Sequence, residues 1–432
     1  MKQILILLLL IPTMTFAQYR FKNGIFPEIR YDRTGHFYLK NHRGRDFLIA
    51  PDGTGFYPIG INHLQAVYGN NNLSGLSETK VTKTVLDHMD KWGFNCGGYG
   101  TSNELVKEGL YYLASLNLVK HGFYHLDNVV FPDVFDESFE IYVEETIKKS
   151  ADACYNPEKL IGVVWSDLPA WNIFKSRMLR QTDWVTEIRK LEKKAPGKMV
   201  YLNFLKNKYK NETDKLKEYY RLSDDDLDDL ENHDFSNLYL GHPMVMEDDE
   251  LFMDVIARRY YALGAKYHAK YFPNTLLFGD RYLLGDHPDS ILKIASQYVD
   301  AISIQVGDGF GETMLPSYPY PKGAIEHIHN ITDKPVLIAD HQISFYTDDY
   351  NRTIFSQAGN QEECSLETEK FLKATYAENY VIGYFRCTYL TQKEPHGRGV
   401  KQGLVDFEQK PYSEITEAYS TVNNDISKFI GK

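Results

Sequence analysis

Two aspartates carry the chemistry in this sequence. Asp167 ends the apolar run Val163-Val164-Trp165-Ser166, and Asp340 ends Val336-Leu337-Ile338-Ala339. A carboxylate placed where an apolar segment would otherwise continue into the core is either a reacting group or half of a structural ion pair, with Arg281 a candidate partner. Two such acids at one mouth suit glycosidic bond cleavage, which needs a pair of carboxyls flanking a single bond. Other polar and aromatic residues end comparable apolar runs: Asn62 and His63, Tyr99, Trp165, Asp280 and Arg281, Gln305, then His341 and Gln342. Hydroxyl-rich ligands need directed partners for each hydroxyl and a ring face for their apolar side. Trp165, Trp171 and Tyr99 are candidates for stacking, each equally a candidate for the core. Asn62, His63, Gln305 and Gln342 could hold hydroxyls. His341 could tune Asp340 or be a satisfied structural histidine.

Those residues need a scaffold that brings strand ends together. Eight apolar runs recur from about residue 54 to 392: 56–62, 94–100, 118–124, 160–167, 276–282, 301–307, 335–341 and 381–389. Continuously apolar strands are those of a parallel sheet covered on both faces. Helical stretches lie between them, such as 79–91 with Val81, Val85, Leu86 and Met89 on one face. Eight strand–helix units predict an α/β fold, a (β/α)8 TIM barrel whose active site lies at the C-terminal ends of its strands. A doubly wound sheet is the alternative. Residues 18–53, broken by Asn-Gly, Thr-Gly and Pro-Asp-Gly, read as a short N-terminal β-hairpin cap under the barrel, which itself spans 54–432. Between the fourth and fifth strands, 168–274 form a long helical insertion, with helical spacing over 198–222 and 249–271. The acidic run 223–231 lacks the spaced ligands of a calcium loop; Ser223 caps a solvated helix there. The stretch 413–429 reads as the last barrel helix.

At the N-terminus, Lys2, the apolar run Ile4 to Ile11 and Thr15-Phe16-Ala17 form a signal peptide, 1–17, cleaved before Gln18. The run is too short for a membrane anchor, so a secreted or periplasmic protein is expected. A net charge of −11 without a basic stretch argues against nucleic acid or anionic membrane as partner. Aromatic content is high, with 32 Tyr and 24 Phe, as a large core or a sugar cleft would need. Four cysteines are too few for a disulfide scaffold; Cys96 and Cys387 read as buried thiols, while Cys154 and Cys364 could pair. No metal-ligand spacing occurs, and GDGFGET (307–313) does not open a helix as a dinucleotide loop would, so no cofactor or metal is expected. No GxSxG elbow supports an esterase.

The strand ends and their order resemble the large retaining glycoside-hydrolase clan with catalytic glutamates after strands four and seven, and within it the β-agarase-type barrels. The resemblance runs over most of 50–415. FPDVFD (131–136) and GLVDFEQKPY (403–412) carry it most specifically, with FYPIGINH (56–63), WGFN (92–95) and GDRY (279–282) beside them. It implies a polysaccharide or oligosaccharide substrate, Asp167 as general acid and Asp340 as nucleophile or base, and His396 and Arg398 in a loop closing over substrate. The chain departs from the family at both acids, where the family's Asn-Glu reads Ser166-Asp167 and its second glutamate is Asp340. Each loss of a methylene withdraws a carboxyl by up to roughly 1.5 Å. On an unchanged barrel the gap widens to about 7–8 Å, which is the spacing of inverting rather than retaining enzymes. The alternatives are a non-catalytic glycan-binding barrel, or another acid such as Glu312 or Glu247 taking one role.

Overall fold

The computed structural model describes residues 21–70, 73, 75–119, 130–233, 235, 242–307, 316–347, 356–393 and 400–430. The signal peptide, Glu312, His396 and Arg398 lie outside these residues.

Eight parallel strands close into a barrel. In chain order they are β5 (Ile59–Ile61), β6 (Cys96–Gly97), β7 (Tyr111–Ser115), β8 (Leu160–Asp167), β9 (Leu276–Leu283), β10 (Ile302–Val306), β11 (Val336–His341) and β14 (Val381–Arg386). The ring closes where β14 pairs with β5, Tyr384 opposite Ile59. Two short strands after β11, β12 (Ser344–Phe345) and β13 (Gln357–Ala358), pair outside the ring. The (β/α)8 expectation holds. One strand needs correction: the third strand of the ring is Tyr111–Ser115, and of the expected 118–124, residues 120–124 lie outside the described residues. Leu116, Leu118 and Val119 are buried but pack beyond the ladder, where the Leu118 and Val119 amides donate to Ser166 Oγ. Apolarity there marks wall packing rather than pairing, and Tyr111-Tyr112 is the true start.

The N-terminal cap is more than a hairpin. Strands β1 (Ile25–Arg30), β2 (Tyr38–His42), β3 (Arg45–Ile49) and β4 (Thr54–Phe56) form an antiparallel sheet in the order β1-β4-β3-β2. Its Phe37, Leu48, Ala50 and Phe56 pack with lumen residues Cys96, Leu113, Ile161, Val164, Phe278, Leu337 and Phe385. The sheet therefore plugs the floor of the barrel. Inside, glycines face large rings: a Cβ on Gly162 would stand 2.3 Å from Phe278, so the ring needs that vacancy.

Helices cover the outer wall. Helix α1 (Glu78–Lys91) buries Val81, Val85 and Met89, and Ser77 caps it through the Lys80 amide. Helices α2 (Asn103–Lys107), α3 (Glu137–Asp152), α10 (Asp289–Ala295), α11 (Lys322–Thr332), α12 (Gln361–Ala377), α13 (Ser413–Asn424) and α14 (Ser427–Ile430) complete the outer layer outside the insertion. The insertion holds α4 (Ile173–Arg180), α5 (Trp184–Lys190), α6 (Pro196–Lys208), α7 (Thr213–Tyr220), α8 (Asp224–Asp228) and α9 (Pro243–Tyr271). The helical stretch expected over 198–222 is two helices. The chain turns back after α6 so that Tyr209 and Tyr220 both donate to Asp248, at 2.8 and 2.6 Å. Ser223 caps α8 in a capping box with Asp226. None of the four cysteines is in a disulfide; Cys154 lies by Tyr112, and the Cys364 thiol donates to the Ile343 carbonyl, so the possible Cys154–Cys364 pair does not form.

Candidate functional site

Side chains on a strand alternate between lumen and helix layer, so one extra residue reverses the phase for everything after it. Three barrel strands use this next to their polar ends. On β8 the ladder shifts register between Val164 and Asp167. Val164 faces the lumen, Trp165 and Ser166 both face the helices, and Asp167 returns inward. On β9 the shift falls at Gly279, whose φ of +64° is the left-handed conformation a glycine adopts freely. Phe278 points in, Asp280 points out to α9, and Arg281 points in. On β11 the register shifts between Ile338 and Asp340, so Ala339 and Asp340 both belong to the lumen and His341 to the helix layer.

The result is a polar cluster at the mouth. Arg281 engages both acids through different nitrogens: Nη2 pairs with Asp167 Oδ1, and Nη1 with Asp340 Oδ2 at 3.3 Å. The terminal nitrogens of a guanidinium lie about 2.3 Å apart, from two C–N bonds of ~1.33 Å at about 120°. The engaged carboxylate oxygens are therefore at most about 8 Å apart. The Tyr99 hydroxyl donates to Asp340 Oδ2, and the Tyr99 ring lies under the guanidinium, 4.4 Å from centroid to Cζ. Burial works against the Arg281 charge, but Asp167, Tyr99 and Asp340 outweigh it and hold the guanidinium well above its usual range. Asp340 and Arg281 are closed in, at 4% and 6% side-chain exposure, while Asp167 keeps 36%.

Around this core stand Asn62, whose amide donates to the Ala339 carbonyl at 2.9 Å, and His63, edge-on to Tyr99 at 4.8 Å between ring centres. Gln305 sits opposite Asp340 in the β10–β11 ladder. Asn117, which the sequence reading missed, accepts from the Asp167 amide at 3.3 Å. It lies two residues past the end of β7. Placing the third strand at 118–124 hid it.

The remaining candidates lie elsewhere. Trp165 is buried against Tyr260 and Tyr261, over Gly264 of α9, where a Cβ would come within 2.3 Å of its ring. Trp171 stacks on Trp184 and donates from Nε1 to Asp280 at 3.0 Å. Both tryptophans belong to the packing of the insertion, which corrects the expectation of stacking platforms. Asp280 accepts from Tyr260 and Tyr261 as well as Trp171, fully buried, and burial pushes its carboxyl up to about 6. It anchors α9 to the barrel instead of facing a ligand. His341 stacks on Phe371, with Nδ1 at 2.9 Å from the Tyr384 hydroxyl and Nε2 at 2.9 Å from the Ser317 carbonyl. Burial lowers it to about 3, so it is a neutral structural histidine. Gln342 is buried between Ser344 and Arg386. Glu247 is 3.7 Å from Lys208 within the insertion.

No protein-family model matches this sequence, and no curated protein matches it. Solved structures do. PfGH50B aligns with a TM-score of 0.77 at 17% identity, over 93% of this chain and 67% of that one. The agarase AgWH50C gives 0.78 at 17% identity, over 93% and 66%. An exo-β-agarase gives 0.77 at 17%, over 93% and 67%. The fold is shared with agarases. The chain spans about two thirds of the length of these structures. Among the described residues no helix is long and apolar enough to cross a membrane.

Proposed function

We propose that this chain is an exported glycoside hydrolase acting on a galactan-like, agarose-type or other β-linked polysaccharide. One observation carries the reading: two acids from the fourth and seventh strands share one guanidinium at the mouth of a barrel of agarase type. Their separation of at most about 8 Å is compatible with a bond and an attacking water between them. In the inverting form of the reaction, Asp340 takes a proton from water as the water oxygen bonds to the anomeric carbon. The bond from that carbon to the departing sugar oxygen breaks, and Asp167 protonates the oxygen. Proton exchange with solvent restores both acids, and the exposure of Asp167 suits it to that exchange.

Proton NMR of the first product tests the mechanism: an inverted anomer is expected, and a retained one rules out the inverting form. Asp167→Asn and Asp340→Asn should each abolish turnover of agarose-derived oligosaccharides in proteins that remain folded by circular dichroism. A second reading, a glycan-binding barrel without catalysis, is favoured by Arg281 engaging both acids as a structural ion pair would. Affinity for the oligosaccharides with no turnover in the unmodified protein would select it.

A further inference from the structure

Arg281 ties together two acids that differ in access to solvent. Its guanidinium is planar and its donors are fixed in a fork, so a carboxylate bound at each tip is held in distance and in direction. The Tyr99 ring backs the fork, and the Arg281 side chain has almost no free surface, so it cannot swing away without leaving the ring. The strand supplies the other constraint: Gly279 turns β9 so that residue 281, rather than 280, enters the lumen. Two carboxylates this close without a shared cation repel each other. With short aspartate side chains on both sides, the long arginine spans the interval that neither acid can cross.

We propose that Arg281 is the positioning residue of this site: it sets the separation of Asp167 and Asp340, and the reaction depends on that separation. The inference rests on the acid–base reading above. Arg281→Lys keeps the charge but replaces the fork with a single point that reaches one carboxylate at a time. Crystal structures of the unmodified protein and of Arg281→Lys should show the carboxyl separation changed by about 1 Å or more, and a misplacement of that size costs about 100-fold in rate. On agarose-derived oligosaccharides the loss should fall in kcat, with KM within about twofold and the protein folded by circular dichroism. Arg281→Met, which removes the charge as well, should be at least as impaired. An unchanged separation in Arg281→Lys, or a loss confined to KM, overturns the proposal. If Asp167→Asn and Asp340→Asn turn over like the unmodified protein, the acid–base reading fails instead, and the carboxyl separation in the Arg281→Lys crystals still decides whether Arg281 sets it.

Discussion

The Tyr99 hydroxyl donates to the same Asp340 oxygen that Arg281 approaches at 3.3 Å, while the ring of Tyr99 lies under that guanidinium. One side chain thus serves both members of the Asp340–Arg281 pair. Tyr99→Phe keeps the platform and removes the donor. A hydrogen bond to a charged group contributes about 1.5–3 kcal/mol. Chemical denaturation should therefore show Tyr99→Phe less stable by about that amount, with the protein folded and Arg281 in place.

Gly279 decides which of two charged neighbours enters the lumen. An L-residue at its φ of +64° costs roughly 1–2 kcal/mol, and a Cβ there would also meet Val299 Cγ1 at 2.7 Å. Gly279→Ala should lower stability by at least that amount in chemical denaturation. It should also reduce turnover more than an equally destabilising substitution in the insertion, because relaxing the turn re-aims Arg281.

Asp280 gives the stability a pH dependence of known sign. Its folded-state carboxyl is raised to about 6, above an unfolded value of about 3.9. The folded state therefore holds this proton more tightly, and the contribution present below about pH 4 is lost as pH rises to about 6, by up to roughly 3 kcal/mol. Asp280→Asn can keep Trp171 and Tyr261 as donors to its oxygen and donate to the Tyr260 hydroxyl. Denaturation curves between pH 4 and 7 should be flatter for this variant by about that amount; identical slopes would refute the assignment.

Within the insertion, Asp249 is buried and paired with both Arg177 and Arg189. Removing one partner from a buried charge costs about 3–5 kcal/mol. Arg189→Met should show a loss of that order in thermal unfolding, and hydrogen exchange should locate the loosening in α5, α6 and α9.

The barrel was legible in the sequence because its longer strands are continuous apolar runs: β8 was read end to end, and β9 and β11 within a residue. Strand β7 was not, since Tyr111 to Ser115 carries a weaker apolar signal than the wall residues that follow it. The two aspartates and Arg281 were legible as strand-end polar groups. Which neighbours share their direction was not. Period-two reasoning puts Trp165 and Asp167 on one face, and Asp280 with Phe278; the irregular pairing in β8 and β9 reverses both. Such bulges depend on ladder geometry that no residue type announces, apart from a glycine such as Gly279.

The floor sheet has a practical corollary for anyone shortening this chain. Phe37, Leu48, Ala50 and Phe56 supply apolar surface to the lumen, and the Arg45 guanidinium reaches the carbonyls of Tyr376 and Glu378 at the far end of the sequence. Trimming to residue 54 would take out one wall of the interior and leave Leu113 and Phe385 facing water. Truncations intended to isolate the eight-stranded ring should behave as core deletions, yielding aggregates where a smaller enzyme was sought.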